Sequence, residues 1–94
     1  MYTIDYTNKF IKDLKLIKKR SAKDFAIVAH FIENELALKG ASGLDKKYKA
    51  HKLSGNYKDN WECHIKSDLL IIWIEITSES QIKLIRLGSH SDLF

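Results

Sequence analysis

A chain of 94 residues has room for one domain and one hydrophobic core, expected here to span residues 1–94. Its 16 Lys and Arg against 12 Asp and Glu leave a formal charge of +4, a modest excess compatible with a polyanionic partner such as nucleic acid or an acidic protein. A single cysteine, Cys63, excludes an intramolecular disulfide and any multi-cysteine zinc site, and its position in an apolar run favours a buried small hydrophobe over a reactive thiol.

The longest apolar run, Leu69 to Ile74, falls far short of the ~20 residues of a membrane span, so no membrane association is expected. Met1-Tyr-Thr-Ile-Asp5 has neither the basic nor the apolar region of a secretory signal, which predicts a cytoplasmic protein.

Tyr2 to Tyr6 alternates apolar and polar residues and reads as a short strand. Thr7 or Asn8 can cap the helix that follows, in which Phe10, Leu14 and Ile17 recur at helical spacing with Ile11 beside them, and lysines 12, 15, 18 and 19 cover the other faces. Ser21 followed by Asp24 resembles a capping box and opens a second helix with a stripe of Phe25, Val28, Ile32 and Leu36. Lys39-Gly40 is its expected stop. Such a hairpin suits a layer packed on a sheet; as a DNA-reading helix-turn-helix its second helix is apolar on too many sides.

Residues 40 to 58 lack periodicity and contain three of the four glycines, so a long connection is expected, of the kind that is often functional. Lys46, Lys47, Tyr48, Lys49, His51, Lys52, Tyr57 and Lys58 interleave charge with rings, which suits either a solvated loop or a surface that grips phosphates while stacking bases. The pattern then changes to period two. Trp61, Cys63 and Ile65 alternate with Glu62, His64 and Lys66, giving one buried and one polar face. Ser67-Asp68 reads as a tight turn into Leu69–Ile76, apolar on both faces and therefore central; Thr77 to Ser80 is a second turn, and Gln81 to Leu87 a third strand ended by Gly88. Short connections favour antiparallel pairing. The expected fold is α+β, β-α-α-β-β-β, an antiparallel sheet with a two-helix hairpin on one face.

His64 leaves the polar face of its strand and Asp68 follows at the turn, while His51 precedes the strands and His90 follows them, so these four can converge on one open sheet edge. His30, inside the second helix, reads as structural. The set lacks the short spacings of a metal site, and Cys63 points away from His64, which argues against a thiol nucleophile. Acid–base cleavage of RNA, by contrast, needs a base, an acid and cations around the phosphate, which the histidines, Asp68, Arg86 and nearby lysines supply.

Three separated motifs, Tyr48-Lys-Ala-His51-Lys-Leu-Ser-Gly-Asn-Tyr57, Trp61-Glu-Cys-His64-Ile-Lys-Ser-Asp68-Leu-Leu-Ile-Ile-Trp73 and Arg86-Leu-Gly-Ser-His90-Ser-Asp-Leu-Phe94, resemble in order and spacing the YafQ-type toxins of the RelE/ParE superfamily. The resemblance implies a toxin of a bacterial type II toxin–antitoxin system, a ribosome-dependent endoribonuclease that cuts mRNA in the A site without a metal or other cofactor. It makes His51, His64, Asp68 and His90 the catalytic set, with His90 the leading proton donor and either Asp68 or His51 the base. Lys49, Lys52, Lys66, Arg86 and Phe94 would contact substrate. The implied partners are the ribosome, mRNA and a cognate antitoxin with a DNA-binding part and an acidic C-terminal segment, in a hetero-oligomer. The chain departs from the family in having Leu69 where an aromatic residue is common, and in having no proline. A ParE-like gyrase poison, or a non-catalytic interaction module, would share the fold without needing the histidines.

Overall fold

Thr7 sets where the first helix begins: its hydroxyl accepts the Phe10 N–H at 3.3 Å and donates to the Leu84 carbonyl at 2.6 Å, tying the helix start to the sheet. In the computed structural model, which describes residues 1–94, strand β1 (Thr3–Tyr6) leads through this cap into helix α1 (Asn8–Arg20). Ser21 both ends α1, its N–H bonded to the Ile17 carbonyl, and starts helix α2 (Ala22–Phe31) by accepting the Asp24 N–H at 3.1 Å. The regular helix breaks at Gly40, the expected stop, although a further helical turn runs on to Gly43. Beyond Phe31 it passes through a π-helical turn (Ile32–Leu36) that keeps Ile32, Leu36 and Ala37 buried, and continues as α3 (Ala37–Gly43), which kinks at Gly40.

Gly40 is in a backbone conformation, φ 65° and ψ −179°, that is essentially reserved for glycine, and a Cβ there would lie 2.7 Å from a Tyr2 ring carbon. Gly40→Ala is therefore expected to lower stability by at least ~1–3 kcal/mol, read as a reduced urea midpoint at unchanged slope.

The connection to the sheet is more ordered than its composition suggests. It contains two single turns of 3-10 helix (Lys46–Tyr48 and Gly55–Tyr57) and a two-residue strand, β2 (His51–Lys52), too short for any periodicity to announce. Strands β3 (Trp61–Lys66), β4 (Leu69–Ile76) and β5 (Gln81–Gly88) follow the expected meander, and a short helix α4 (His90–Leu93) ends the fold.

The sheet order is β1-β5-β4-β3-β2, with β4 at the centre as its two apolar faces require. The meander and β2 pair antiparallel, whereas β1 lies parallel to β5 from Thr3↔Gln81 to Tyr6↔Leu84, so the sheet is mixed. Hairpin arguments govern only consecutive strands, and β1 and β5 are not consecutive.

Phe10, Val28, Phe31, Ile32 and Leu36 of the helical layer pack on Cys63, Leu69, Ile71, Trp73, Ile82, Leu84 and Leu87 of the sheet. Burying each large apolar side chain stabilises the fold by ~1.5–3 kcal/mol. Cys63 is wholly enclosed, and that burial, with the Glu62 charge second, pushes its thiol well above the usual range. The opposite sheet face carries a smaller cluster of Leu70, Ile72 and Leu93 with Leu53, Tyr57 and Ile85 against it. No helix is long and apolar enough to cross a membrane.

Candidate active site

Strand register puts the polar residues of the open sheet face into two rows. One row runs His51↔Glu62↔Ile72↔Arg86 across β2, β3, β4 and β5; the next runs His64↔Leu70↔Gly88. Residues paired across an antiparallel ladder share a face, and at about 4.8 Å per strand the first row spans about 14 Å. Cys63 and Ile71, between these rows, point the other way into the core.

Glu62 lies on the polar face of β3, yet it is only 5% exposed. Two imidazoles cover it: Nε2 of His51 and Nε2 of His64 lie 3.6 and 3.8 Å from its Oε1. Sequence reasoning missed this carboxylate as a site residue. Alternation along β3 puts it beside His64, but its contact with His51 exists only because β2 pairs there. His51 is oriented from its other side, where Nδ1 donates to the Lys49 carbonyl at 2.8 Å. In the neutral ring that bond leaves Nε2 as the proton acceptor.

Asp68 is in the turn between β3 and β4 with a left-handed backbone, φ 54°, so the extended geometry that would align it with His64 does not hold. Its Oδ1 instead accepts the His90 N–H at 2.8 Å, a contact between residues 22 apart in sequence. His64 and Asp68 still line a common cleft of about 550 Å³ with Lys47, Tyr48, Lys49 and Lys66.

The α4 turn that carries His90 is built by its own sequence. Ser89 and Asp92 form a reciprocal capping box, Ser89 Oγ accepting the Asp92 N–H and Asp92 Oδ2 accepting the Ser89 N–H; hydrogen bonding to the Asp92 carboxyl, first from the Ser89 backbone and then from its hydroxyl, holds it below the usual aspartate range. Leu93, 7% exposed, seats the turn on Leu70 and Ile72. Phe94 does not share that anchoring role: it is 56% exposed, with its ring 5.1 Å from that of His90 and 5.8 Å from that of Tyr57.

The cations are less free than the sequence suggests. Arg86 donates from Nε and Nη2 to Asp13 at 2.8 and 3.3 Å, and hydrogen bonding to Asp13, then to Tyr57, raises its pKa further. Lys66 is paired with Asp24 at 2.7 Å, and Lys52 stands 5.6 Å over the Trp61 ring. Lys49 and Lys47, both among the basic residues of the long connection, line the cleft. His30 is exposed, bonded to Asn34 at 3.2 Å and outside this face.

The arrangement thus presents a tautomer-fixed imidazole, a second imidazole sharing its carboxylate, and a third on a capped turn. The model of a family described as a bacterial toxin of a type II toxin–antitoxin system, YafQ, matches residues 2–94. The mRNA interferase toxin YafQ of Escherichia coli K12 is 30% identical over 91 residues, covering 97% of this chain and 94% of the relative. The crystal structure of a metal-bound toxin from Helicobacter pylori superposes with a TM-score of 0.83 at 41% identity, each chain covered completely. A chain of the E. coli DinJ–YafQ toxin–antitoxin complex gives 0.80 at 29% identity, over 99% of this chain and 97% of that one. With sequence and fold matching from the first strand to the α4 turn, this chain belongs to the YafQ family of bacterial type II toxin–antitoxin toxins.

Proposed function

We propose that this toxin is an endoribonuclease that cuts mRNA in the ribosomal A site by metal-independent acid–base catalysis, in the cytoplasm, where translating ribosomes are. The observation that supports this best is the gathering of His51, His64, Asp68 and His90 on one open sheet face, with Asp68 bonded to the His90 amide. A gyrase-directed poison of the same fold has no use for that set.

In the proposed reaction His51 Nε2 takes the proton of a 2′-hydroxyl, and the 2′-oxygen forms a bond to the adjacent phosphorus. The bond from phosphorus to the 5′-oxygen then breaks, and His90 gives that oxygen its proton. Each transfer by a well-placed side chain contributes ~10²–10⁴-fold. Glu62 offers a counter-charge to the imidazolium that forms on His51. His64 and Arg86 act on the phosphate, where preorganised donors are worth most against charge that develops in the transition state. Lys49, Lys52 and Lys66 hold the backbone, and Phe94 gives the flanking base a ring face beside His90.

The DinJ-bound E. coli relative supports a cognate antitoxin for this chain too. A charge of +4 suits an acidic antitoxin segment, captured faster by electrostatic steering, in a hetero-oligomer.

The mechanism fixes the product ends. Purified toxin mixed with ribosomes carrying a defined A-site codon should cut the mRNA to leave a 5′-hydroxyl, which a polynucleotide kinase labels without prior phosphatase treatment. The same mRNA without ribosomes should survive. Fragments ending in a 5′-phosphate, or equal cutting of free mRNA, would overturn the proposal.

A further inference from the structure

Asp13 is the only acidic residue of α1, among Lys9, Lys12, Lys15, Lys18, Lys19 and Arg20, yet it is not on the solvated side of that helix. Its side chain is 15% exposed and turned toward the sheet. The reason lies in the strand lengths. β1 stops opposite Leu84, so β5 runs on to Gly88 with an open edge, and the Leu87 N–H on that edge would lack a partner. Asp13 Oδ2 accepts that N–H at 2.9 Å while also taking the Arg86 Nε–H at 2.8 Å, and Oδ1 takes the Nη2–H at 3.3 Å.

One carboxylate thus grips a cation and the strand that leads to His90. Arg86 is paired opposite Ile72, in the row that holds Glu62 and His51, and His90 comes only four residues later. A planar guanidinium held through Nε and Nη2 has its remaining Nη1 edge fixed in direction. A pair that only offset charge at the surface would be worth little, and it would not need the second bond into the backbone of β5.

We infer that Asp13 is a positioning residue for the cleavage reaction, holding Arg86 and the end of β5 so that cation and proton donor meet the same phosphate. The inference rests on the nuclease reading proposed above. Because Asp13 acts through Arg86, it also partly neutralises the charge that attracts RNA. Its loss should therefore slow the chemical step without weakening binding.

The test is single-turnover cleavage of A-site mRNA on programmed ribosomes by the whole chain. Asp13→Asn is expected to lower the rate at saturating toxin by ~10–100-fold, the scale of a misplaced reacting group. The half-saturating toxin concentration should stay within about threefold of wild type or fall. Arg86→Ala should be as slow, and adding Asp13→Asn to it should cost far less than the product of the two single losses, because coupled residues are not additive.

A rate for Asp13→Asn within about twofold of wild type, or full multiplication of the two losses in the double variant, would overturn the inference. Should Asp13→Asn fail to melt cooperatively, Arg86→Lys replaces it: a point charge without the two-bond grip should show the same slowed rate at unchanged half-saturation, and a wild-type rate would overturn the inference. An inactive wild type would overturn the nuclease reading itself. An active wild type, silenced by His90→Ala but indifferent to Asp13→Asn, would overturn only the role of Asp13.

Discussion

Replacing His90 by alanine is expected to lower A-site mRNA cleavage by ~10²–10⁴-fold, the contribution of a general acid, while leaving the fold intact. The structural side of this expectation follows from what holds the α4 turn. The bond that anchors it to Asp68 comes from the His90 backbone, the cap comes from Ser89 and Asp92, and the apolar seat comes from Leu93; none uses the imidazole. The His90 side chain is exposed, and alanine is a good helix former, so the stability change should fall within ~0.5 kcal/mol. Single-turnover cleavage and thermal melting of the same preparation check both halves. A folded His90→Ala protein that cuts at the wild-type rate would remove His90 from the chemistry, and with it the strongest reason for reading this face as a nuclease centre.

The parts of this site that were legible in the sequence are those that depend on local periodicity. The alternation of Trp61 to Lys66 put His64 on the open face and Cys63 in the core, and the doubly apolar Leu69–Ile76 put β4 at the centre of the sheet. What stayed hidden depends on which distant segments meet. The burial of Glu62 needs His51 beside it, and that needs β2, a strand whose two residues carry no pattern. The bond from Asp68 to His90 needs a left-handed turn residue and a capped turn to meet across the sheet. The partner of Arg86 depends on β1 ending at Tyr6, a boundary that exposes the β5 edge to α1.

The aromatic residues of the long connection show the same effect. Tyr48 and Tyr57 suit a base-stacking surface by composition, but each is half-buried, Tyr48 with its ring 5.0 Å from that of Phe31 and Tyr57 against Phe94. Packing outbid solvent for both rings. The exposed ring next to a candidate catalytic group is Phe94, the residue that the family resemblance, rather than composition, names as a substrate contact.

Asp68 separates two assignments of the base, and a pair of substitutions distinguishes them. If Asp68 acts by holding the His90 amide, an asparagine can replace it: the amide oxygen still accepts the N–H, and asparagine, like aspartate, tolerates the left-handed backbone at this turn. If Asp68 instead takes the 2′-hydroxyl proton, asparagine is as inert as alanine, because an amide has no basic oxygen. His51 is the better base on geometry, since its Nδ1 bond to the Lys49 carbonyl leaves Nε2 ready to accept, with Glu62 3.6 Å away. Asp68→Asn is therefore expected to keep cleavage within about tenfold of wild type, a modest loss next to the ~10²–10⁴-fold of a missing base. Asp68→Ala loses the amide contact and puts a β-carbon into a left-handed site without a compensating local bond, at a cost of ~1–2 kcal/mol. Its expected activity loss is ~10²-fold, the scale of a misaligned catalytic group. His51→Ala should fall as far as His90→Ala. Equal and deep losses in Asp68→Asn and Asp68→Ala, with His51→Ala still active, would transfer the role of base to Asp68.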